Sequence, residues 1–273
     1  MRETVFSNAK IAESAKDRNG LSGFELYVCY ILTMQAVVRV NLEAVKRRIE
    51  KAATSAGRDP AGIKLVAVSK THPASVLREA IVAGAVVLGE NKVQEAEGKI
   101  LELGRNAAEW HLIGHLQSNK ARKAVQLFDV IHSVDSLELA QRLERICDEE
   151  GRDELVVFVE VDLAGEDTKS GISENDLPIL VDFLKTCRHL KFIGLMLLPP
   201  YFEDAEKTRP FFIRLRDLRD KLAGENAFGD GEGELSMGMS HDFEVAIEEG
   251  ATIVRVGTAI FGERAKNVTP GGS

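Results

Sequence analysis

The sequence has few cysteines, no long uninterrupted apolar segment and no excess of positive charge. Its three cysteines, Cys29, Cys147 and Cys187, lie far apart and form no Cys-x-x-Cys pair, so neither a disulfide framework nor a zinc site is indicated. This use of cysteine favours a protein of the reduced cytoplasm. The most apolar stretch, residues 26–38, contains polar side chains and is too short to cross a bilayer. We therefore expect no membrane-spanning segment.

Acidic side chains outnumber basic ones by 43 to 35, which gives a formal net charge of -8. Such a charge provides no general attraction for nucleic acid or anionic lipid, although a local basic pocket can still bind a phosphate. We therefore expect a small-molecule partner and no nucleic acid. With 273 residues, 44% of them hydrophobic, the chain can bury a substantial core. No Pro/Ser-rich linker divides it, which favours a single folded domain.

Short apolar segments alternate with amphipathic helical patterns from about residue 38 onward. The first helix is indicated by apolar side chains at three-to-four spacing, namely Val38, Leu42, Val45, Ile49 and Ala52. Eight apolar segments predict strands, at residues 63–69, 85–89, 110–113, 130–133, 155–161, 192–196, 235–237 and 252–256. Such alternation is typical of parallel strands buried on both faces, and eight units close naturally into a barrel. The predicted fold class is α/β, a single (β/α)8 TIM-type barrel, with a doubly wound open sheet as the alternative.

The barrel is expected to occupy residues 34–265. Met34 immediately precedes the first well-patterned helix, so we interpret residues 1–33 as an N-terminal extension that is disordered or loosely attached, or that reflects a misassigned start. Residues 266–273 are expected to form a flexible C-terminal tail.

In barrels of this type the reactive groups follow the carboxyl ends of the strands. Lys70 follows the first predicted strand, and Glu90 and Asn91 follow the second. A lysine at a partly dry strand end is more easily deprotonated than one in water, and a neutral amine attacks an aldehyde to form a Schiff base. Most strand-end lysines are simply solvated. The other strand ends decide whether Lys70 belongs to a site.

The loops after strands seven and eight predict a phosphate site. The Ser240 hydroxyl is expected to cap a helix, and free amides at that helix start and around Gly257 and Thr258 can point at an anion. Barrel phosphate sites commonly use these two loops, although an ordinary cap and an ordinary glycine turn would look the same. Arg255 stays protonated and can donate to a ring nitrogen, or it can be a structural, salt-bridged arginine.

His111 and His115 are four residues apart, the interval of a helical zinc pair. This segment is predicted to be a strand that ends at Gly114, so we expect no metal site there.

Several segments occur in the order that is found in one known family. They are residues 65–71 (LVAVSKT), 89–91 (GEN), 93–95 (VQE), 110–120 (WHLIGHLQSNK), 169–172 (KSGI), 194–196 (GLM), 236–240 (SMGMS) and 254–262 (VRVGTAIFG). From about residue 36 to 264 the chain resembles the YggS/PROSC-type pyridoxal phosphate homeostasis proteins, which share their barrel with the amino-terminal domain of alanine racemase. The resemblance implies a fold-type III pyridoxal phosphate barrel without the C-terminal β-domain.

The resemblance also implies a cofactor, pyridoxal 5'-phosphate (PLP), and a role for each site residue. Lys70 would hold PLP as an aldimine, Arg255 would face the pyridine nitrogen, and Asn91 would sit beside the ring. The phosphate would be held by Ser240, Gly257 and Thr258. Two departures from the family are Lys92, where many relatives carry an aromatic residue, and the leading 33 residues, which relatives generally lack.

The expected function is binding rather than turnover. PLP enzymes usually protonate the pyridine nitrogen through an acidic partner, which an arginine donor cannot replace. Racemases of this fold add a second base from a β-domain, for which this chain is too short. We predict a carrier or buffer in cytoplasmic PLP homeostasis that releases PLP to apo-enzymes, as a monomer or weak homodimer. Two alternatives stay open, a weak amino-acid racemase-like enzyme and a barrel enzyme that binds a sugar phosphate. The sequence does not show whether Lys120 or Lys169 assists transfer.

Overall fold

The computed structural model describes the backbone of residues 23–165 and 170–262, with side chains from residue 37 onward. The strands in this part are β1 (Lys64–Val68), β2 (Val87–Glu90), β3 (Glu109–Leu112), β4 (Val130–Val134), β5 (Leu155–Glu160), β6 (Leu190–Met196), β7 (Glu234–Met239) and β8 (Ile253–Val256). Its α-helices are α1 (Gly23–Ser55), α2 (Ala74–Val82), α3 (Val93–Leu103), α4 (Ala121–Leu127), α5 (Leu137–Glu150), α6 (Leu177–Leu184), α7 (Arg209–Gly224), α8 (Phe243–Glu248) and α9 (Thr258–Phe261). Single 3-10 turns occur at Pro60–Gly62, Arg105–Ala107, Ser118–Lys120 and Ala205–Thr208.

The eight strands form one closed barrel in chain order. Every neighbouring pair is parallel, and β1 closes the ring against β8 with Val66 opposite Arg255. The predicted (β/α)8 barrel is confirmed, and the open doubly wound alternative is wrong. Strand ends differ from the prediction by a few residues. Strand β6, for example, begins at Leu190 rather than near Phe192.

Helix α1 begins earlier than the sequence pattern indicates. Its backbone is helical from Gly23, so it runs without a break through residue 33, where the barrel was expected to begin. Its buried side chains include Leu42 and Val45, and it packs on α2, α8 and α9. Each fully buried aliphatic side chain contributes about 1.5–3 kcal/mol, so this face anchors α1 over the β8–β1 closure. The rest of the predicted extension, residues 1–22, and the predicted tail, 266–273, lie outside the described residues.

The core consists of two apolar layers, because strand residues alternate between the two faces of the sheet. The outer layer lies between sheet and helices and contains side chains such as Trp110 and Phe212. The inner layer fills the barrel with Val66, Val68, Val87, Ile113, Val130, Phe158, Met196 and Ile253. Burial on both faces explains why the strands read as continuous apolar runs. Among the described helices, none combines the length and the apolar composition that a bilayer crossing requires.

Candidate functional site

A cavity of ≈ 460 Å³ opens at the carboxyl ends of the strands. It is lined by all six residues that were predicted to form the site, namely Lys70, Asn91, Ser240, Arg255, Gly257 and Thr258. Apolar walls are provided by Val68, Ile113 and Leu198. The volume falls in the range of small-molecule sites, about 300–1,000 Å³. A larger depression of ≈ 690 Å³ lies beside the amino ends of β6 and β7 and contains none of the six.

Lys70 lies in a tight turn that follows β1. The Ser69 amide donates to the Gly89 carbonyl at 2.9 Å, which continues the sheet pairing up to the residue before the lysine. The next residue, Thr71, has a φ of 68°, the left-handed region that β-branched residues rarely occupy. Its amide donates to the Glu95 carboxylate. The turn therefore leaves the strand sharply and presents the half-buried Lys70 at the cavity.

A buried ion-pair cluster lies directly beneath this turn. Lys99 on α3 donates to the Ser69 carbonyl at 2.8 Å and to the carboxylates of Glu90 and Glu95, each at 2.7 Å. The Glu90 side chain is 0% exposed and also accepts from the Ser69 hydroxyl at 2.6 Å. Burial raises the pKa of Glu90, although the Lys99 ammonium opposes the shift. The sequence predicts no role for Glu90 or Lys99, because the i,i+4 spacing of Glu95 and Lys99 indicates an ion pair but not its burial.

The residues that were predicted to hold a phosphate lie together, although the predicted helix cap by Ser240 is wrong. Ser240 does not cap α8, the helix that follows it. Its hydroxyl accepts from the amides of Gly257 at 3.1 Å and Ala259 at 3.4 Å, at the start of α9. Asp242 takes the place before α8, and its carboxylate accepts from the Met239 amide at 2.6 Å. Because a hydroxyl that accepts still carries its own proton, Ser240 can donate to an anion at the Gly257 turn.

The Gly257 turn also needs its glycine for space. A Cβ at this position would lie 3.1 Å from the Val68 carbonyl oxygen, closer than ordinary contact. The close approach brings the end of β1, which precedes Lys70, against the predicted phosphate turn.

Arg255 is buried at the base of the cavity, with 2% of its surface exposed. Its guanidinium donates to the Ser236 hydroxyl at 2.7 Å and to the Leu197 carbonyl at 2.8 Å. Within the described residues it makes no ion pair, so the alternative of a salt-bridged structural arginine does not describe it. Burial lowers the pKa of Arg255 to about 10, which leaves it protonated at neutral pH. A buried, permanently charged donor thus faces the cavity.

Asn91 Oδ1 and Glu160 Oε2 are among the buried polar atoms that have no hydrogen-bond partner within the described part of the chain. Asn91 lines the cavity, and Glu160 interacts electrostatically with Arg255, which also lines it. Gly114 permits the position of Asn91, since a Cβ at Gly114 would lie 2.5 Å from the Asn91 carbonyl oxygen. Burial raises the pKa of Glu160 to about 7, with Asp135 adding to the shift. Glu160 was missed because it sits inside an apolar run and its direction depends on strand register.

Neither the histidine pair nor Lys120 lines the cavity. His111 lies inside the barrel and is hydrogen-bonded to Glu109, whereas His115 is exposed and pairs with Asp135 at 3.0 Å. The two imidazoles therefore serve different partners. Lys120 is not among the residues that line the cavity, and Lys169 lies outside the described residues.

The donor set fits a phosphorylated aromatic aldehyde. The cavity offers an amine for the aldehyde and a glycine turn with a hydroxyl for the phosphate. Its buried guanidinium can donate to a ring nitrogen, and its amide oxygen can accept from a ring hydroxyl.

Comparisons with known proteins agree with this chemistry. The family model described as Alanine racemase, N-terminal domain matches residues 40–265. Two relatives are named pyridoxal phosphate homeostasis protein. The one from Aquifex aeolicus is 44% identical over 225 residues, 82% of this chain and 96% of that protein. The one from Pseudomonas aeruginosa is 45% identical over 229 residues, 84% of this chain and 96% of that protein.

Solved structures show the same likeness. PipY of Synechococcus elongatus, solved with PLP bound, has 42% identity and a TM-score of 0.69, and the match covers 79% of this chain and 100% of PipY. Alanine racemase from Corynebacterium glutamicum has 16% identity and a TM-score of 0.62, over 84% of this chain and 62% of the racemase. The second comparison shows likeness of fold alone. All six cavity residues lie within the span that the family model matches.

Proposed function

The chain belongs to the family of pyridoxal phosphate homeostasis proteins, and we propose that it binds PLP in the cavity at the carboxyl ends of its strands and buffers the cofactor for the cell. The observation that carries this proposal is the convergence of Lys70, Arg255 and the Gly257 turn on one cavity of ≈ 460 Å³. Their elements are separated by most of the barrel in sequence. Their convergence is what a small ligand with a carbonyl group, a phosphate and a ring nitrogen requires.

Lys70 is the proposed point of attachment. Its neutral amine attacks the aldehyde carbon of PLP, the carbon–oxygen double bond becomes a carbon–nitrogen double bond, and one water molecule leaves. Addition of water reverses the reaction and releases the aldehyde. Reversibility suits a carrier, because the reactive aldehyde stays bound until a recipient takes it.

The other cavity residues would orient the cofactor. Ser240, Gly257 and Thr258 hold the phosphate in this proposal. The amides of Gly257 and Ala259 donate to the Ser240 oxygen, so they orient the hydroxyl and leave its proton for the phosphate. Arg255 donates to the ring nitrogen and Asn91 contacts the ring edge. A guanidinium with a pKa of about 10 hydrogen-bonds the nitrogen but does not hand it a proton at neutral pH. The ring then withdraws electrons weakly, which favours holding PLP over driving reactions on it.

The setting of this function is also a proposal. PLP is passed to apo-enzymes that depend on it, in the cytoplasm, by a chain that is a monomer or weak homodimer. The names of the relatives from Aquifex aeolicus and Pseudomonas aeruginosa support a homeostatic role.

A weak racemase-like activity is the second candidate. The observation that favours it is Glu160, a buried carboxyl near the cavity with a pKa of about 7, the range in which a general base works best. Exchange of the α-proton of alanine or serine with deuterated water separates the candidates. Catalytic exchange that disappears in Glu160→Gln would favour the enzyme, and its absence would favour the carrier.

The binding proposal is tested by titrating the purified protein with PLP and following visible absorbance. We expect a saturable yellow species in wild type and its loss in Lys70→Ala. The matched control is Lys51→Ala, which removes an exposed lysine from α1 and should bind as wild type does. Unchanged colour in Lys70→Ala would contradict Lys70 as the attachment residue, and no colour in wild type would contradict PLP binding.

A further inference from the structure

A row of polar side chains crosses the otherwise apolar interior of the barrel. It runs from Glu109 through His111, His132 and Ser236 to Arg255. The contacts are 2.8 Å between Glu109 Oε1 and His111 Nε2, and 2.8 Å between His111 Nδ1 and His132 Nε2. They continue with 2.8 Å between His132 Nδ1 and Ser236 Oγ, and 2.7 Å between Ser236 Oγ and Arg255 Nη1. The row thus connects the amino end of β3 with the cavity.

The strands explain how these side chains meet. Glu109 and His111 are two residues apart on β3 and so point to the same, inner face. His132, Ser236 and Arg255 occupy inward positions of β4, β7 and β8. His111, His132 and Ser236 are 0% exposed. The His132 ring stacks on Phe158 with ring centroids 4.5 Å apart, which fixes its plane.

The partners determine the direction of every hydrogen bond. Arg255 can only donate, so the Ser236 oxygen accepts from it. The Ser236 hydroxyl then donates a hydrogen bond to His132 Nδ1. His132 then carries its proton on Nε2 and donates to His111 Nδ1. His111 in turn donates from Nε2 to Glu109, whose pKa is lowered to about 2, chiefly by this bond. Both histidines are therefore neutral Nε2–H tautomers, and all donors point away from the cavity.

Burial supports this assignment. It lowers the pKa of His111, and it lowers that of His132 well below the ordinary value, with the positive charge of Arg255 adding to the shift. The row has a cation at one end, a carboxylate at the other and neutral groups between them. Aligned hydrogen bonds in a low-dielectric interior strengthen one another. Each polar group in the row that is buried has a partner, so the row has one favourable arrangement.

We propose that Ser236 and His132 are positioning residues that fix the guanidinium of Arg255 for the ring nitrogen of the bound cofactor. This inference rests on the proposed PLP function. Ser236 and the Leu197 carbonyl hold Nη1 and Nη2 at 2.7 and 2.8 Å, so the plane of the guanidinium is set. His132 Nδ1 accepts a hydrogen bond from the Ser236 hydroxyl, which keeps a lone pair of the serine oxygen turned to Arg255 as an acceptor. Without this acceptor, the buried cation would turn to other partners.

The test compares two ligands, PLP and an analogue with the same substituents but carbon in place of the ring nitrogen. The ratio of their dissociation constants isolates the contact at that nitrogen. We expect wild type to prefer PLP by about tenfold or more, as one charge-assisted hydrogen bond implies. In Ser236→Ala and His132→Phe the preference should fall below about threefold. Ser236→Thr keeps a hydroxyl, and His132→Asn keeps a hydrogen-bond acceptor and a donor. In these two variants the preference for PLP should largely return.

The control is Val130→Ala, which truncates an apolar interior side chain of β4 that neighbours His111 but makes none of the hydrogen bonds of the row. It should lower stability but keep the wild-type ratio. If His132→Phe does not fold, Ser236→Ala, which removes one oxygen atom, carries the test. A wild-type ratio in Ser236→Ala would overturn the inference. Equal binding of both ligands by the wild-type protein would also overturn the inference. If that protein still forms a PLP adduct on Lys70, the proposed PLP function remains supported. No PLP binding by wild type would overturn both.

Discussion

Replacing Lys99 by methionine tests the buried cluster beneath Lys70. The substitution keeps an unbranched chain but removes the ammonium that bonds Ser69 and two carboxylates at 2.7–2.8 Å. Glu90, whose side chain is 0% exposed, then keeps only the Ser69 hydroxyl as a hydrogen-bond partner in the described structure. An uncompensated buried charge is the expected result.

The magnitude follows from the cost of that charge. Removing one partner of a buried ion pair typically destabilises a protein by about 3–5 kcal/mol. Glu90 can limit the loss by becoming protonated, since burial already raises its pKa from the ordinary 4.5. Holding the proton costs about 1.4 kcal/mol for each pH unit above the unfolded value. Because the wild-type protein already bears part of this cost, the loss should be at most roughly 3 kcal/mol at pH 7 and below about 1 kcal/mol at pH 5.

The sign follows from the direction of the shift. A carboxyl whose folded pKa is raised is protonated in both states at low pH, so the penalty is absent there and grows as pH rises. Urea unfolding at pH 5 and pH 7 measures it. The double variant Lys99→Met/Glu90→Gln should recover most of the loss, because no buried charge remains. PLP retention should also fall in Lys99→Met, since the Ser69 carbonyl beside Lys70 loses its donor.

The matched control is Lys123→Met, which breaks a 3.0 Å ion pair with Glu97 between half-exposed side chains. It should change stability by less than about 1 kcal/mol at either pH. If the loss in Lys99→Met is equal at pH 5 and pH 7, or no larger than that of the control, the buried Glu90 carboxylate is not its cause.

Three further predictions concern pH and packing. Burial raises the pKa of Glu160 to about 7, so the wild-type apo-protein loses stability as pH rises from 4.5 to about 7. Glu160→Gln should therefore have a free energy of unfolding in urea that exceeds the wild-type value by roughly 3 kcal/mol at pH 8 and by little at pH 5. Because His132 stays neutral when folded, stability should fall by about 1.4 kcal/mol per unit below pH 6.5, and acid titration of His132→Phe should show a shallower slope. Gly194→Ala places a Cβ against the Glu234 carbonyl oxygen and should lower the free energy of unfolding. Gly98→Ala, in open space on α3, should raise the free energy of unfolding by about 0.5–1 kcal/mol, and urea unfolding measures both changes.

The barrel could be predicted because every strand is buried on both faces and therefore reads as a short apolar run between helical patterns. The start of α1 could not be predicted, because residues 26–34 are apolar at most positions and show no amphipathic period. Boundaries of this kind depend on what the helix packs against.

Part of the site could be predicted from the sequence for a similar reason. Carboxyl ends of barrel strands meet at one rim, so Lys70, Arg255 and Gly257 could be placed in one cavity from their order alone. The hydrogen bond of Ser240 to the Gly257 amide could not be predicted from the sequence. Serine and aspartate both cap helices, and only the pairing of β7 with β8 shows that Ser240 bonds the Gly257 amide while Asp242 bonds the Met239 amide. The polar row was hidden because a strand buried on both faces does not reveal which residues point inward.

The most direct measurement of the central claim is peptide mapping after the PLP-loaded protein is reduced with borohydride. Reduction converts the carbon–nitrogen double bond into a stable single bond and fixes the cofactor on its attachment residue. We expect one pyridoxyl group per chain, on the peptide that contains Lys70. An adduct mainly on another lysine, or no adduct in a protein that still binds PLP, would contradict it.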